Sequence, residues 1–454
     1  MTATTTNAAH LQGAKSSALR VLWACALGIS FALSVFASSR GGYIGPDYYT
    51  HFARLTKWPQ IFDFSATSPP TYYLIGHGFF LLIGSNNTFP ITLSIAQAAI
   101  NTLAMWWFFL YTERCFKSPL SHLALVFFLT FLPVRIIHAT TIGTDSTMIP
   151  LFVLLLFLFD RFLSDKSSTL KKAGLLGLTL ALAVWTKYSF LAFIFAIFLV
   201  LIGIWAERGW RLKRFMAICA LTLILPSALV LHSFWASSRV HGYNTEKHWL
   251  AKDEAADMDY RDLFSVKAND IELFRAPEYF KREILAPHRH SYLGLVHLGI
   301  FTDTMNLFQL PPAGQDLGSV WYPDDKTRRP WKTAIMQASM SLGILWTLLV
   351  LIAVPWSLFR ALRNLLNQRL EREDVAAILG TALFLLIILA IPFTRWGALF
   401  GYWTPRLILP ALLSFFLAAF LFIESKIARR SETIAYAVVF LVAVQCAIEA
   451  AMLI

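Results

Sequence analysis

Ionisable side chains follow a Gly-Pro turn near the start of the chain, in the segment GPDYYTHFARL at residues 45–55. Asp47 precedes His51 by four residues and Arg54 by seven, and in a helix this spacing puts all three on one face. A carboxylate in hydrogen-bond reach of a hydroxyl group can act as a general base, and a guanidinium can bind an anion through paired hydrogen bonds. Aspartate also caps helix N-termini, so an N-cap beside a solvated helix face is the alternative interpretation.

Three further ionisable residues stand at the ends of apolar runs, within Thr144-Asp145, AVWTKYSFL (183–191) and GYWTPRLILPALL (401–413). Ionisable residues in or beside membrane spans are candidates for function. Each also has an ordinary role: Asp145 can cap the next helix, Lys187 can extend to the interface, and Arg406 can anchor a helix end. Their occurrence on one side of the membrane, argued below, favours a shared site.

The composition requires that helices in a membrane position these residues. Apolar residues make up 57% of the chain and charged residues 15%, whereas soluble domains carry about 25% charged residues. Apolar runs of about 18 residues or more recur, and in hydrocarbon they must be helices because each backbone polar group needs a partner within its segment. The sequence predicts an all-α polytopic membrane protein with about eleven transmembrane helices. They are expected near residues 21–38, 91–112, 121–138, 148–163, 170–187, 189–206, 213–235, 335–358, 375–394, 404–423 and 433–452.

The formal net charge of +12 does not indicate nucleic-acid binding, because the basic residues lie in short loops rather than on one soluble face. Cytoplasmic loops of membrane proteins are enriched in Lys and Arg. With the N-terminus inside and residues 21–38 as an uncleaved span, every short basic loop falls on the cytoplasmic side. These loops contain Arg114 and Lys117; Lys166, Lys171 and Lys172; Arg208, Arg211, Lys213 and Arg214; Arg360, Arg363, Arg369 and Arg372; and Lys426, Arg429 and Arg430.

This assignment of sides holds only if the run at residues 72–85 does not cross the membrane, and we predict a juxtamembrane helix there. The chain then divides into an N-terminal transmembrane module at 1–235, whose first outer segment is 39–90, an extracytoplasmic loop region at 236–334, and C-terminal helices at 335–454. In this topology the outer side carries all four candidate residues, Asp47, Asp145, Lys187 and Arg406.

A family resemblance enters at the first outer segment. The pattern there is Asp47-x-x-x-His51-Phe52-x-Arg54, followed by Ser68-Pro69-Pro70-x-Tyr72-Tyr73-Leu74. It resembles the first outer loop of the GT-C superfamily, especially the protein mannosyltransferase, lipid A aminoarabinose transferase and dolichyl-phosphate-glucose glucosyltransferase group. The segments around Asp145, Lys187 and Arg406 match the family in order. Many relatives have Asp-Glu where this chain has Asp47-Tyr48, so a role that needs paired acids is not carried over.

The resemblance implies an inverting glycosyltransferase that moves a hexosyl or pentosyl group from a polyprenyl-phosphate donor to a hydroxyl group of a glycan, lipid or protein. In this scheme Asp47 is the general base, and Asp145 orients the acceptor or raises the basicity of Asp47. The donor phosphate is bound by Arg406, Lys187 and Arg54, with His51 and Tyr72 in supporting roles. The implied setting is cell-envelope glycan synthesis in the bacterial inner membrane, with the active site facing the periplasm or exterior.

The second outer region contributes two candidates on the acceptor side, His297 and Asp303, within LGLVHLGIFTDTMNLFQLPP (293–312). A packed interfacial helix is the alternative interpretation. No metal site is predicted, because the His-Arg-His triplet at 288–290 lacks a third ligand, although the residues leave open whether transfer needs a divalent metal.

Two other classes of protein compete with the enzyme: a transporter or lipid flippase, and a non-catalytic partner in a membrane assembly. A transporter predicts charged or broken helices in the middle of the membrane. The polar groups here stand mostly at span ends, which favours the enzyme. The oligomeric state is left open.

Overall fold

The computed structural model describes residues 3–39, 41, 48–62, 69–84, 88–164, 169–240, 266–271, 291–302, 330–367, 369–390, 405–427 and 432–452. Two predicted site residues, Asp47 and Asp303, lie outside the described residues. The described ranges are helical and contain no β-strand, which confirms the predicted all-α class.

Sixteen helices are numbered here in chain order. Those before the second outer region are α1 (Ala3–Ser39), α2 (Tyr48–Thr56), α3 (Trp58–Ile61), α4 (Thr71–Ile83), α5 (Phe89–Glu113), α6 (Pro119–Phe131), α7 (Pro133–Thr140), α8 (Met148–Ser164), α9 (Thr169–Val184), α10 (Leu191–Arg208) and α11 (Leu212–Val240). Those that follow are α12 (Tyr292–Phe301), α13 (Pro330–Leu366), α14 (Arg372–Ala390), α15 (Leu409–Phe422) and α16 (Glu432–Met452). Short 3₁₀ turns at Thr144–Thr147 and Tyr188–Phe190 precede α8 and α10.

Eight helices in the described residues are long and apolar enough to cross a membrane, and the pair α6 and α7, bent by 48°, makes a ninth if it forms one span. The protein is therefore an integral, multi-pass membrane protein, but the predicted count of eleven spans is not confirmed. The two other expected spans correspond to α9, which has 16 residues, and to α14. Helix α4 has 13 residues, or about 20 Å, shorter than the hydrocarbon core and in keeping with the predicted juxtamembrane helix.

A proline and an arginine create the bend between α6 and α7. Pro133 has no N–H group, so the carbonyl oxygen of Leu129, four residues earlier, loses its helical donor. The Nε of Arg135 donates to that oxygen at 2.9 Å, and its Nη2 donates to the Thr130 carbonyl and the Ser30 hydroxyl. The guanidinium is only 1% exposed and supplies the hydrogen-bond donors that the carbonyls at the break lack. Helix α7 then leads to the 3₁₀ turn at Thr144–Thr147.

Most helices pack around one large apolar core, and a smaller, separate cluster joins α2, α3 and α4 to the start of α5. In the centre of the large core the ring of Phe128 on α6 lies 5.0 Å from Trp346 of α13 and 4.6 Å from Phe416 of α15, centroid to centroid. Elsewhere α9 and α11 approach so closely that a Cβ atom on Gly177 would lie 2.8 Å from the Cα of Thr222. These contacts join helices that are distant in sequence.

Charged residues also join helices at the far end of α8. Arg372 forms an ion pair with Asp160, and the Nε of Arg360 lies 3.2 Å from an oxygen of Asp374. Asp160 is fifteen residues after Asp145, a separation of about 22 Å along a helix. The arginines predicted to be cytoplasmic therefore lie at the opposite end of α8 from the candidate site.

Candidate functional site

Three predicted residues from distant parts of the chain meet at the beginning of α8. Asp145, in the 3₁₀ turn, forms an ion pair with Lys187 through one carboxylate oxygen. Its other oxygen lies 3.7 Å from the Nε of Arg406. The three side chains are only 14%, 13% and 12% exposed, so water screens their charges weakly. Two cations and one carboxylate thus form a compact, largely buried cluster.

Short backbone segments hold the two cations in place. The N–H of Lys187 donates to the carbonyl of Ala183 at 2.9 Å, which continues the end of α9 into the turn that carries the lysine. In the same turn the carbonyl of Trp185 accepts from the N–H of Thr71 at 3.1 Å, so the first residue of α4 is fastened to it. Arg406 lies in the helical turn just before α15.

His51 brings α2 to the edge of this cluster. Its Nδ1 lies 2.7 Å from the Tyr73 hydroxyl, and the two rings stack with centroids 5.8 Å apart. The other edge of the imidazole faces Gly143, where an added Cβ would lie 3.2 Å from Nε2. Burial lowers the pKa of His51 to about 3, and the positive charges of Arg406, Lys187 and Arg54 act in the same direction. His51 is therefore a neutral hydrogen-bonding group at physiological pH.

Arg54, predicted to bind the donor phosphate, is buried and fixes local structure. Its Nε and Nη2 donate to the carbonyls of Gln60 and Ile61, each at 3.0 Å. Its guanidinium carbon lies 3.8 Å from the centroid of the Tyr73 ring. These contacts fold α2 and α3 against α4, and the charge acts on His51 from that position.

Tyr72, predicted as a supporting residue, is buried beside the turn that carries Asp145. Its hydroxyl accepts from the Nε2 of Gln97 at 2.7 Å. Burial raises the pKa of this phenol, an effect partly offset by hydrogen bonding to Gln97, Gly143 and Ser146, so it stays protonated.

His297, predicted from the sequence as an acceptor-side residue, lies on α12 and packs against α13. Its Nε2 donates to the carbonyl of Met340 at 2.9 Å, and its Nδ1 lies 2.8 Å from the Thr347 hydroxyl. Burial lowers the pKa of His297 to about 4, so the ring is neutral and Nδ1 accepts from the threonine. Both ring nitrogens are used in holding α12, which favours the packed-helix alternative.

Sequence reasoning missed several residues around the cluster. Tyr73 is not among the predicted site residues, although its hydroxyl contacts His51 and its ring lies against the guanidinium of Arg54. His138, buried on α7, lies within electrostatic range of Arg406 and Lys187. Gln97 was overlooked because it lies inside an apolar run, although a polar residue in a span is itself a signal. Among the described residues, no group of three or more His, Cys, Asp or Glu side chains is placed to hold a metal ion.

Part of the chain matches the model of a known protein family. Residues 67–235 match the family model of dolichyl-phosphate-mannose-protein mannosyltransferases, which are enzymes of the GT-C type. The matched range includes Asp145 and Lys187.

Among solved structures, the chain is similar to the Archaeoglobus fulgidus oligosaccharyltransferase in the apo form. The similarity has a TM-score of 0.47 with 13% sequence identity and covers 96% of this chain. The chain spans 56% of the length of that protein. No curated protein matches the sequence.

Proposed function

We propose that the protein is an inverting glycosyltransferase that moves a sugar from a polyprenyl-phosphate donor to an acceptor hydroxyl group. The observation that carries this proposal is the cluster of Asp145, Lys187 and Arg406, supported by the family match over residues 67–235. An acid and two cations from three separate segments, buried together at one end of a span, form a site for an anionic group beside the membrane.

The two cations act on the leaving group. When the bond from the anomeric carbon to the phosphate oxygen breaks, negative charge grows on the phosphate. Lys187 and Arg406 stabilise that charge, and Arg406 supplies the directional hydrogen bonds of a guanidinium. Asp145 lies between them and holds both cations in place before the donor arrives. This assigns Asp145 chiefly to the donor side, whereas the resemblance implied that it orients the acceptor or raises the basicity of Asp47.

Asp47 is assigned as the general base. Its sequence neighbour Tyr48 begins α2, and one turn later His51 lies against Gly143, two residues before Asp145. This packing brings the beginning of α2 close to the turn that carries Asp145, which supports the assignment of Asp47. The acceptor oxygen attacks the anomeric carbon, its proton passes to Asp47, and the phosphate leaves from the opposite face, which inverts the anomeric centre.

The reaction is assigned to the extracytoplasmic side, with the polyprenyl chain lying along the apolar helices. The distribution of charge supports this, because the arginines expected in the cytoplasm lie at the opposite end of α8 from Asp145. We place the enzyme in the bacterial inner membrane, with the site facing the periplasm or exterior and the acceptor a glycan, lipid or protein of the cell envelope.

The test is sugar transfer by the purified chain in proteoliposomes that contain polyprenyl-phosphate sugars, with acceptors identified by glycan profiling of a deletion strain.

Asp47→Asn is expected to abolish transfer, because an amide cannot accept the proton, while membrane insertion and donor binding are retained. Lys57→Gln, an exposed change just after α2, is the control and should transfer normally. Transfer by Asp47→Asn at the wild-type rate would remove Asp47 from the mechanism. Donor translocation without transfer by the wild-type chain would favour a flippase.

A further inference from the structure

Helix α5 carries three polar side chains on one face of an otherwise apolar span. Ser94, Gln97 and Asn101 follow the spacing i, i+3 and i+7, which aligns them along the helix. They are 0%, 7% and 2% exposed, so they face protein rather than lipid. Buried polar groups within a span need partners, and those partners show what this polar stripe does.

Two members of the stripe bond the backbone on either side of Asp145. The hydroxyl of Ser94 donates to the carbonyl of Thr140 at 2.5 Å, at the end of α7. The Nδ2 of Asn101 donates to the carbonyl of Ser146 at 2.7 Å, and also to the carbonyl of Gln97 at 2.9 Å. The backbone between Thr140 and Ser146 leaves the α-helical form, so these carbonyls rely on side-chain donors.

The remaining member connects this turn to the outer helices. Gln97 donates from Nε2 to the hydroxyl of Tyr72 on α4. On the other side of the turn, the hydroxyl of Ser146 donates to the carbonyl of Gly143 at 2.8 Å. The stripe therefore contacts both the turn and α4, while its three side chains form none of the ion pairs of the cluster.

The position of Asn101 makes these contacts important for the geometry of the Asp145 cluster. It is twelve residues after Phe89, or about 18 Å along α5, and only 2% exposed, so the turn that it bonds is packed against this helix. A carboxylate that is largely buried must keep its ion-pair geometry, because losing one partner leaves a buried, uncompensated charge. A support that fixes the backbone of Asp145 also fixes the spacing of Lys187 and Arg406.

We propose that Ser94, Gln97 and Asn101 form a positioning device for the Asp145 turn, with Asn101 as its principal member. Asn101 acts through Asp145 and is not a catalytic residue. The predicted effect on sugar transfer rests on the proposed function, whereas the effect on the turn does not.

The first test measures the turn directly, by hydrogen exchange and mass spectrometry on the full chain in detergent. Asn101→Leu is expected to speed amide exchange in peptides covering residues 141–147 by about ten-fold, as the loss of one buried hydrogen bond implies. The matched control is Thr102→Val on the same helix, because among the described residues Thr102 donates to the carbonyl of Ala98 within its own helix and not to the turn. Unchanged exchange in 141–147, or an equal rise along the whole chain, would overturn the proposal. If Asn101→Leu does not fold, Asn101→Ser, too short to reach Ser146, replaces it.

The second test is a double-mutant cycle on transfer. Asn101→Leu should lower transfer by about ten-fold in the wild-type background and cause no further loss in an Asp145→Asn background. A full additional loss in that background would show that Asn101 acts independently of Asp145. If the wild-type chain transfers no sugar, the proposed function fails, and the exchange result alone decides whether the stripe positions the turn.

Discussion

The residue at the centre of the candidate site is a carboxylate with two cationic neighbours. Asp145 lies between Lys187 and Arg406 in surroundings that exclude most water, where charge–charge interactions are stronger than at a surface. Its presence lets two cations stay close together before any substrate binds. In the proposed reaction, a phosphate that arrives there completes a set of charges that is already in position, which is the condition for efficient electrostatic stabilisation.

Arg406→Gln tests this arrangement. Glutamine keeps much of the length of the side chain but loses its charge, so catalytic efficiency for the lipid-linked donor should fall by about 100-fold or more, the scale found when one transition-state donor is removed. The measurement is initial transfer rate against donor concentration. Arg239→Gln is the control, since Arg239 is exposed on α11 and lies over the Trp235 ring. Equal efficiencies for the two variants would contradict phosphate binding by Arg406.

At the scale of elements, close helix packing determines where the lysine turn lies. Helices α9 and α11 touch at Gly177, where the atoms an added Cβ would meet belong to the backbone of Leu221 and Thr222. Backbone atoms cannot rotate away as a flexible side chain can, so any side chain here forces the helices apart. Because α9 leads directly into Lys187, such a shift is transmitted to the cluster.

Gly177→Ala should therefore destabilise the protein by about 1–3 kcal/mol, the usual consequence of overpacking. Gly174→Ala is a matched control on the same helix, because an added Cβ there meets nothing within 4 Å. It should be neutral or stabilise by up to about 1 kcal/mol through reduced backbone entropy of the unfolded chain. Denaturation of both variants in detergent gives the comparison, and equal stabilities would refute the close contact.

At the scale of the whole molecule, two buried histidines link stability to pH. The pKa of His51 is lowered to about 3 and that of His297 to about 4, each mainly by burial. The unfolded chain takes up protons at these histidines below about pH 6.5 while the folded chain does not. The stability that they contribute is therefore complete above pH 6.5 and is lost as pH falls towards 4 and then 3.

The expected slope is at most about 1.4 kcal/mol per pH unit for each histidine over that interval. Denaturation midpoints at several pH values between 6.5 and 4.5 measure it in the purified protein. The double variant His51→Gln with His297→Gln should show a flatter dependence than the wild type, and each single variant should be intermediate. Parallel curves for all four proteins would rule out these two residues as the source.

The sequence predicted the parts of the molecule that follow from local pattern. Long apolar runs predicted the helical class, and charges at run ends predicted that Asp145, Lys187 and Arg406 would share a site. Local pattern does not identify partners, so it did not show that the polar atoms of Arg54 and His297 bond neighbouring elements. The number of spans could not be predicted from apolar runs alone, because one run is divided between α6 and α7 and another forms α9, which has only 16 residues.

The bend at Pro133 carries a consequence for how the chain can change. With Arg135 replaced, the Leu129 oxygen would remain without a donor in hydrocarbon. With Pro133 replaced by a residue that has an N–H group, the helix could reclaim that oxygen and leave the guanidinium short of an acceptor. The imino acid and the cation are thus a matched pair, and substitution at one position is tolerable only when the other changes with it.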